Sequence, residues 1–369
     1  MSDSPFPPLP GHPESDVHST PAMLRPRFGT ALSGFLTTQA ERLAEVGGEL
    51  EPVASALRDF VLDGGKRLRP LFCYWGWRAT GAADETRLVT AAAALELLQA
   101  CALIHDDLMD GSNTRRGVPS FHRRFERLHR QEGWAGTAET FGAAAAILAG
   151  DLCLSWSDEM FTGCGLDAAA LRRARPVFDM MRTEVLAGQY LDVLEQATAG
   201  ESVERARRVI RYKTAKYTVE RPLQLGAALA APDDGLLADL SGYGLPLGEA
   251  FQLRDDLLGV FGDPGETGKP SGDDLREGKR TVLAALTMSK ADEEQARVFR
   301  AHLGDPELDQ GGVERLREVM LETGAVGEVE RLIRLRTEEA LEALESERVD
   351  PVARRALAEL AVAVTDRRL

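Results

Sequence analysis

Three carboxylates close a long apolar run at Leu103-Ile104-His105-Asp106-Asp107-Leu108-Met109-Asp110, a place where charge costs stability unless a cation shares it. On a helix, Asp106 and Asp110 stand one above the other on a single face, near enough to share a divalent ion. Oxygen-only ligation selects Mg²⁺, which keeps several waters and is completed by phosphate oxygens. His105 is read as a packed or hydrogen-bonded helix residue, because Mg²⁺ prefers oxygen. Arg115-Arg116 then supply the fork geometry that grips phosphate. About 150 residues later a second apolar run, Phe251-Gln252-Leu253-Arg254-Asp255-Asp256, again ends in paired carboxylates, with Gln252 nearly one turn earlier on the same face. Two such helices facing each other would border one cavity. The polar, glycine-rich segment that follows, from Gly262 to Gly278-Lys279, carries Lys269 and Lys279 and reads as a flap that brings cations to phosphate.

The elements that must hold these residues are helices. From about Phe28 to the end, apolar residues recur at helical spacing, and no run of alternating β-branched residues demands a sheet. The fold class expected is all-α, a single large domain over residues 28–369 of about a dozen helices, with breaks at Gly64-Gly65, Gly81, Gly111 to Pro119, Gly163 to Gly165, Ala199-Gly200 and Pro232. Residues 1–27 hold seven prolines, including Pro5-Phe6-Pro7-Pro8-Leu9-Pro10, and are expected to form a disordered tail.

Composition narrows the partners. Lys and Arg number 44 against 59 acidic residues, a formal charge of −15, which argues against nucleic acid and leaves basic residues for an anionic substrate. Cys73, Cys101, Cys153 and Cys164 lie in apolar surroundings without zinc-like spacing and read as buried thiols of a reducing cytoplasm. The N-terminus lacks a basic segment followed by an apolar core. Val89 to Ile104 is short for a membrane span and is broken by Glu96 and Gln99. The expectation is a cytoplasmic protein with no membrane span.

Gly64-Gly65-Lys66-Arg67-Leu68-Arg69-Pro70, the Asp106 motif with its arginine pair, Lys213-Thr214, and the block from Gln252 to Lys279 occur together in an order that resembles trans-isoprenyl diphosphate synthases, over residues from about 30 to 369. The resemblance implies helices around a deep central cavity, usually in a homodimer. It implies a transferase of isoprenoid biosynthesis that joins isopentenyl diphosphate to an allylic diphosphate (dimethylallyl, geranyl or farnesyl). It assigns Lys66, Arg69, Gln99 and Arg116 to isopentenyl diphosphate, and Arg115, Lys213, Thr214, Gln252 and Lys269 to the allylic diphosphate. Lys279 sits at a final lysine of the family pattern. Asp106 and Asp110 would bind two Mg²⁺ and Asp255 a third, with Mn²⁺ as a substitute; Asp107 and Asp256 would support them, and Gln189 and Asp192 would line the cavity nearby. One position departs from the fullest pattern. Gly259 stands where many members carry a third Asp, and Asp263 is the candidate to fill part of that gap.

The implied chemistry is ionisation of the allylic diphosphate, attack by the isopentenyl double bond and loss of a proton, with metal and basic residues stabilising the leaving diphosphate in a water-poor cavity. This explains why the sequence shows no nucleophile or triad. Product length is read from the helix before Asp106. Ala102 and Cys101 are small and let the tail pass, and Leu98 and Leu95 are candidates for the floor, at roughly 12 and 17 Å from Asp106 along a helix rising 1.5 Å per residue. The product expected is geranylgeranyl diphosphate, with longer-chain or farnesyl products as alternatives. A terpene cyclase shares the first acidic motif and a non-catalytic subunit shares the fold; the cluster at Lys66, Arg69 and Arg116, and the retained acids, speak against both.

Overall fold

The computed structural model describes residues 20–262 and 272–366. In chain order, α1 is Pro21–Val46, α2 Glu51–Leu62, α3 Leu68–Arg78 and α4 Thr86–Met109. A two-stranded ribbon, β1 (Thr114–Arg115) antiparallel to β2 (Val118–Pro119), follows. Next come α5 (Phe121–Glu132), α6 (Ala138–Thr162), α7 (Ala168–Ala197) and α8 (Val203–Val209). α8 passes without a break into a π-helical stretch, Ile210–Glu220, then α9 (Arg221–Ala230); α10 is Asp234–Phe261. Six more helices follow, Asp273–Arg276, Val282–Lys290, Glu293–His302, Gln310–Glu322, Ala325–Ala343 and Pro351–Thr365. The fold is all-α, and the ribbon is the one strand pairing among the described residues.

α4 is the central post. It packs along α6, α3 and α1, and Ala91, Ala92, Ala93 and Ala94 are fully buried, small side chains that let neighbouring backbones come close. Ser157 of α6 donates to the Ala94 carbonyl at 2.8 Å. Apolar side chains on every side of α4 make it long and apolar enough to cross a membrane, as α6 is, but 72% of the α4 window is buried inside the fold against 33% for α6. A second apolar cluster, with Phe299, Leu316, Val329 and Ile333, seats the C-terminal helices against α10. All four cysteines are buried free thiols.

The first helix begins earlier than the sequence suggested. The boundary expected at residue 27 falls inside α1, where Leu24 is fully buried together with Phe28 and Leu32. Pro21 lies in the first turn, where a missing N–H costs nothing, so proline content alone misplaced the start. Residues 1–19, the remainder of the expected tail, lie outside the described residues.

Candidate active site

α4, α7, the π-helical stretch and α10 enclose a cavity of about 300 Å³. Its lining includes Asp106 at one end, Lys213, Gln189, Gln252 and Asp255 near it, and Leu98, Cys101 and Ala102 along α4. Leu95 is fully buried but is not among the lining residues.

At the acidic end, Lys213 Nζ donates to Asp106 Oδ1 at 2.9 Å and to Asp192 Oδ2 at 2.6 Å, and Gln189 Nε2 donates to the same Asp106 oxygen at 2.9 Å. Burial alone would raise the Asp106 carboxyl, but the Lys213, Lys279 and Arg115 cations overcome it and hold the group below the usual carboxylate range. Asp107 is fully buried and takes Arg115 as a fork, Nε at 2.7 and 2.8 Å and Nη2 at 2.6 Å. Arg115 Nη2 is also 3.6 Å from Asp106, and the β-ribbon is what returns it to α4.

Asp110 is different. Its side chain is 2% exposed, and both oxygens lack a hydrogen-bond partner. Burial first, and then the Asp106 charge, push its carboxyl up to about 6. The Lys279 ammonium lies 3.6 Å from it, and 3.3 and 3.0 Å from Asp274 and Glu277. Glu277 also accepts from Ser112 Oγ at 2.8 Å, tying the segment after residue 271 to the turn after α4. On α10, Thr214 Oγ1 donates to Gln252 Oε1 and Gln252 Nε2 to Asp256 Oδ1, both at 2.7 Å. Asp256 is buried, and its carboxyl is pushed up to about 7 chiefly by that burial. Lys269 and Asp263 lie outside the described residues.

A basic group lies beside the other wall. Arg69 Nη2 donates to Thr218 Oγ1 at 2.7 Å and its guanidinium lies 4.2 Å over the Tyr217 ring, while its Nε is buried without a partner. Gln99 Oε1 is likewise buried without a partner. Arg116 donates to the Asp63 carbonyl and lies against Gly65; burial, then the Arg115 and Arg67 charges, lower its pKa. Crowded cations of this kind are the complement of a polyanion. Lys66 is exposed, its carbonyl accepting from Arg25 at 3.1 Å. His105 bonds the Ile147 carbonyl at 3.1 Å and acts as a packing residue, as expected.

Three features were not read from the sequence. The π-helical turn presents Lys213, Thr214, Tyr217 and Thr218 to the cavity, and such turns concentrate at functional sites. Gly188 makes room for it, since a Cβ there would lie 2.5 Å from the Lys213 nitrogen. Arg67 adopts a left-handed backbone (φ 53°) and turns inward, bonding Glu96 at 2.6 Å and the Val61 and Leu62 carbonyls at 2.7 and 3.1 Å. A lone acid inside an apolar helix was the available signal. Lys216 is buried between Glu184 (3.2 Å) and Glu220 (3.0 Å).

Among the described residues, no three carboxylate, imidazole or thiol groups form a ready-made metal cage. Mg²⁺ does not need one, because it is held by one or two carboxylates together with substrate phosphates. The orphaned Asp110 oxygens, and ammonium groups lodged among acids at both Asp106 and Asp110, are donors suited to such a cation. Acids and cations beside an apolar-walled cavity are the arrangement of a helical enzyme acting on a diphosphate with an apolar tail.

Comparison with known proteins gives the same class. Residues 51–320 match the polyprenyl synthetase family. A geranylgeranyl pyrophosphate synthase of Corynebacterium glutamicum, solved with isoprenyl diphosphate and magnesium, is 44% identical with a TM-score of 0.90, over 94% of this chain and 98% of that one. A geranylgeranyl diphosphate synthase of Saccharolobus solfataricus is 34% identical over 70% of this chain and 73% of its own length. A geranylfarnesyl diphosphate synthase of Aeropyrum pernix is 31% identical over 79% and 86%. The chain belongs to the polyprenyl synthetase family and is a trans-prenyltransferase.

Proposed function

We propose that the protein condenses isopentenyl diphosphate with an allylic diphosphate to make geranylgeranyl diphosphate, with Mg²⁺ at Asp106, Asp110 and Asp255. The observation that carries this reading is the acidic end of α4, where lysine ammonium groups lie among carboxylates at both Asp106 and Asp110, with Asp106 and Asp255 of α10 lining one apolar-walled cavity. Bound there, the metal would neutralise the charge that develops on the departing diphosphate. The chain's own residues do the rest. Lys213 and Lys279 already sit where phosphate oxygens would arrive, and exchanging a carboxylate for a phosphate partner costs each little reorganisation. Lys66, Arg69, Arg116 and Gln99 receive the second diphosphate; the buried donor of Arg69 supports this directly. Apolar walls at Leu98, Cys101 and Phe251 keep water from the allylic cation. Ala102 and Cys101 leave the cavity open toward Leu98, which supports a tail longer than fifteen carbons.

The same reading makes the protein a cytoplasmic homodimer. Ile147 and Leu148 of α6 and Leu186 and Tyr190 of α7 are each at least 49% exposed, an apolar face suited to a second copy. Sedimentation at a dimer mass supports it, and a monomer at micromolar concentration rules it out. The reaction is tested by supplying an allylic diphosphate alone, then with isopentenyl diphosphate, then with excess chelator. Turnover is expected only in the second case; a cyclic hydrocarbon from the allylic substrate alone, or activity in chelator, overturns the reading.

A further inference from the structure

Behind the cavity, six side chains from α7, the π-helical stretch, α9 and α10 close a ring. Lys216 Nζ donates to Glu220 Oε2 at 3.0 Å and lies 3.2 Å from Glu184 Oε1. Arg221 forks onto Glu184, with Nε at 2.6 Å and Nη2 at 2.8 Å, and its Nη1 donates to Gln224 Oε1 at 2.7 Å. Gln224 Nε2 donates to Ser241 Oγ at 2.8 Å, and Ser241 Oγ donates to Glu220 Oε1 at 2.7 Å, which returns the ring to Lys216. Lys216, Glu220 and Gln224 are buried, and Glu184, Arg221 and Ser241 partly so. Burial by itself would raise the Glu184 carboxyl, but Arg221 and Lys216 hold it below its ordinary value. Among the described residues, none of the six keeps a buried side-chain polar atom without a partner.

A buried ion network is a weak source of stability, because desolvation offsets the attraction; its better use is to select one arrangement. The arrangement at stake is the wide turn. π-Helices are rare and mostly a single turn, and this one runs over eleven residues, so its register is set by what packs against it. α7 approaches at Gly188, where a Cβ would lie 2.5 Å from the Lys213 nitrogen, and α10 at Gly244 and Gly248, where a Cβ would lie 2.8 Å from Glu220 Cα and 2.4 Å from Ala215 Cα. The glycines permit this closeness without directing it. The ring joins the same three elements by directional bonds. None of its six members lines the cavity, whereas Lys213, Thr214, Tyr217 and Thr218 of the same stretch do. We propose that Lys216, with Glu184 and Glu220, is a positioning residue of prenyl transfer: the ring fixes the wide turn against α7 and α10 and thereby places the Lys213 ammonium for the departing diphosphate. The inference rests on the reading that Lys213 receives that diphosphate.

The test separates stability from turnover in the full chain. The double variant Lys216→Met/Glu220→Met deletes one cation and one carboxylate together and leaves Glu184 paired with Arg221. Its melting temperature is expected within about 3 °C of the parent, since apolar replacement of a buried pair is close to neutral. Its kcat is expected to fall roughly tenfold to a hundredfold, the cost of a small misplacement of a catalytic group, with both KM values within about threefold. A ring that serves stability alone leaves kcat at the parent value once stability is matched. The same double variant is then made in a Lys213→Met background, where it is expected to lower kcat by less than about threefold, because residues that act through one group are not additive. Should the double variant fold poorly, Gln224→Leu replaces it, opening the ring without removing a charge, and the same dependence on Lys213 is expected. If Lys213→Met keeps the parent kcat, the reading of Lys213 itself fails. If Lys213→Met is impaired but the ring variant keeps the parent kcat, changes KM alone, or lowers kcat equally in both backgrounds, this inference alone is overturned.

Discussion

Asp110→Asn should stabilise the metal-free protein while destroying its activity. The carboxyl is moved from 3.8 to about 6 by burial and by Asp106. The unfolded chain releases that proton near pH 4 and the folded chain near 6, so the folded state is penalised as pH rises through that window and stays penalised above it. Two units at about 1.4 kcal/mol each make roughly 3 kcal/mol at pH 7.5. Asparagine keeps the shape without the charge. Urea unfolding in chelator is the assay: the variant is expected to exceed the parent by about 2–3 kcal/mol at pH 7.5, and the difference to shrink as pH falls toward 4. A variant that is less stable, or equally shifted at every pH, would refute the reasoning. The same substitution should lower turnover by at least two orders of magnitude, on the order of one lost transition-state stabiliser, as expected where a site is kept strained for function.

Other expectations follow from neighbouring contacts. Lys213→Met leaves Asp106 and Asp192 facing each other without their shared cation; kcat should fall about 10²–10³-fold, and a fall below tenfold contradicts the role given to this ammonium. Arg67→Met strands the buried Glu96 carboxylate, which should cost about 3–5 kcal/mol and, by loosening the turn between Lys66 and Arg69, raise the KM for isopentenyl diphosphate more than that for the allylic substrate. Equal change in both constants would argue against it. Cys101→Phe or Ala102→Phe should shorten the product and Leu98→Ala lengthen it, read by chromatography after dephosphorylation; a product unchanged by all three removes α4 as the ruler.

Much of the site was legible because its chemistry is local. Carboxylates at i and i+4 on a helix define a face before any fold is known, and the structure places Asp106 at the cavity with Gln189 and Lys213 upon it. Interactions that cross the fold were not legible. The pairing of Arg67 with Glu96 spans 29 residues, and the π-helical turn depends on a glycine in another helix, Gly188. Leu95, three residues before Leu98, faces the core and not the cavity, a distinction that helical rise alone does not make.

The most direct measurement is the chain length of the product from purified protein given isopentenyl diphosphate, dimethylallyl diphosphate and Mg²⁺, with Asp106→Ala in parallel. A main product of twenty carbons, absent from the Asp106→Ala reaction, is expected. A fifteen-carbon product would contradict the reading of α4, and undiminished turnover by Asp106→Ala would contradict the assignment of the acidic end as the place where the diphosphate leaves.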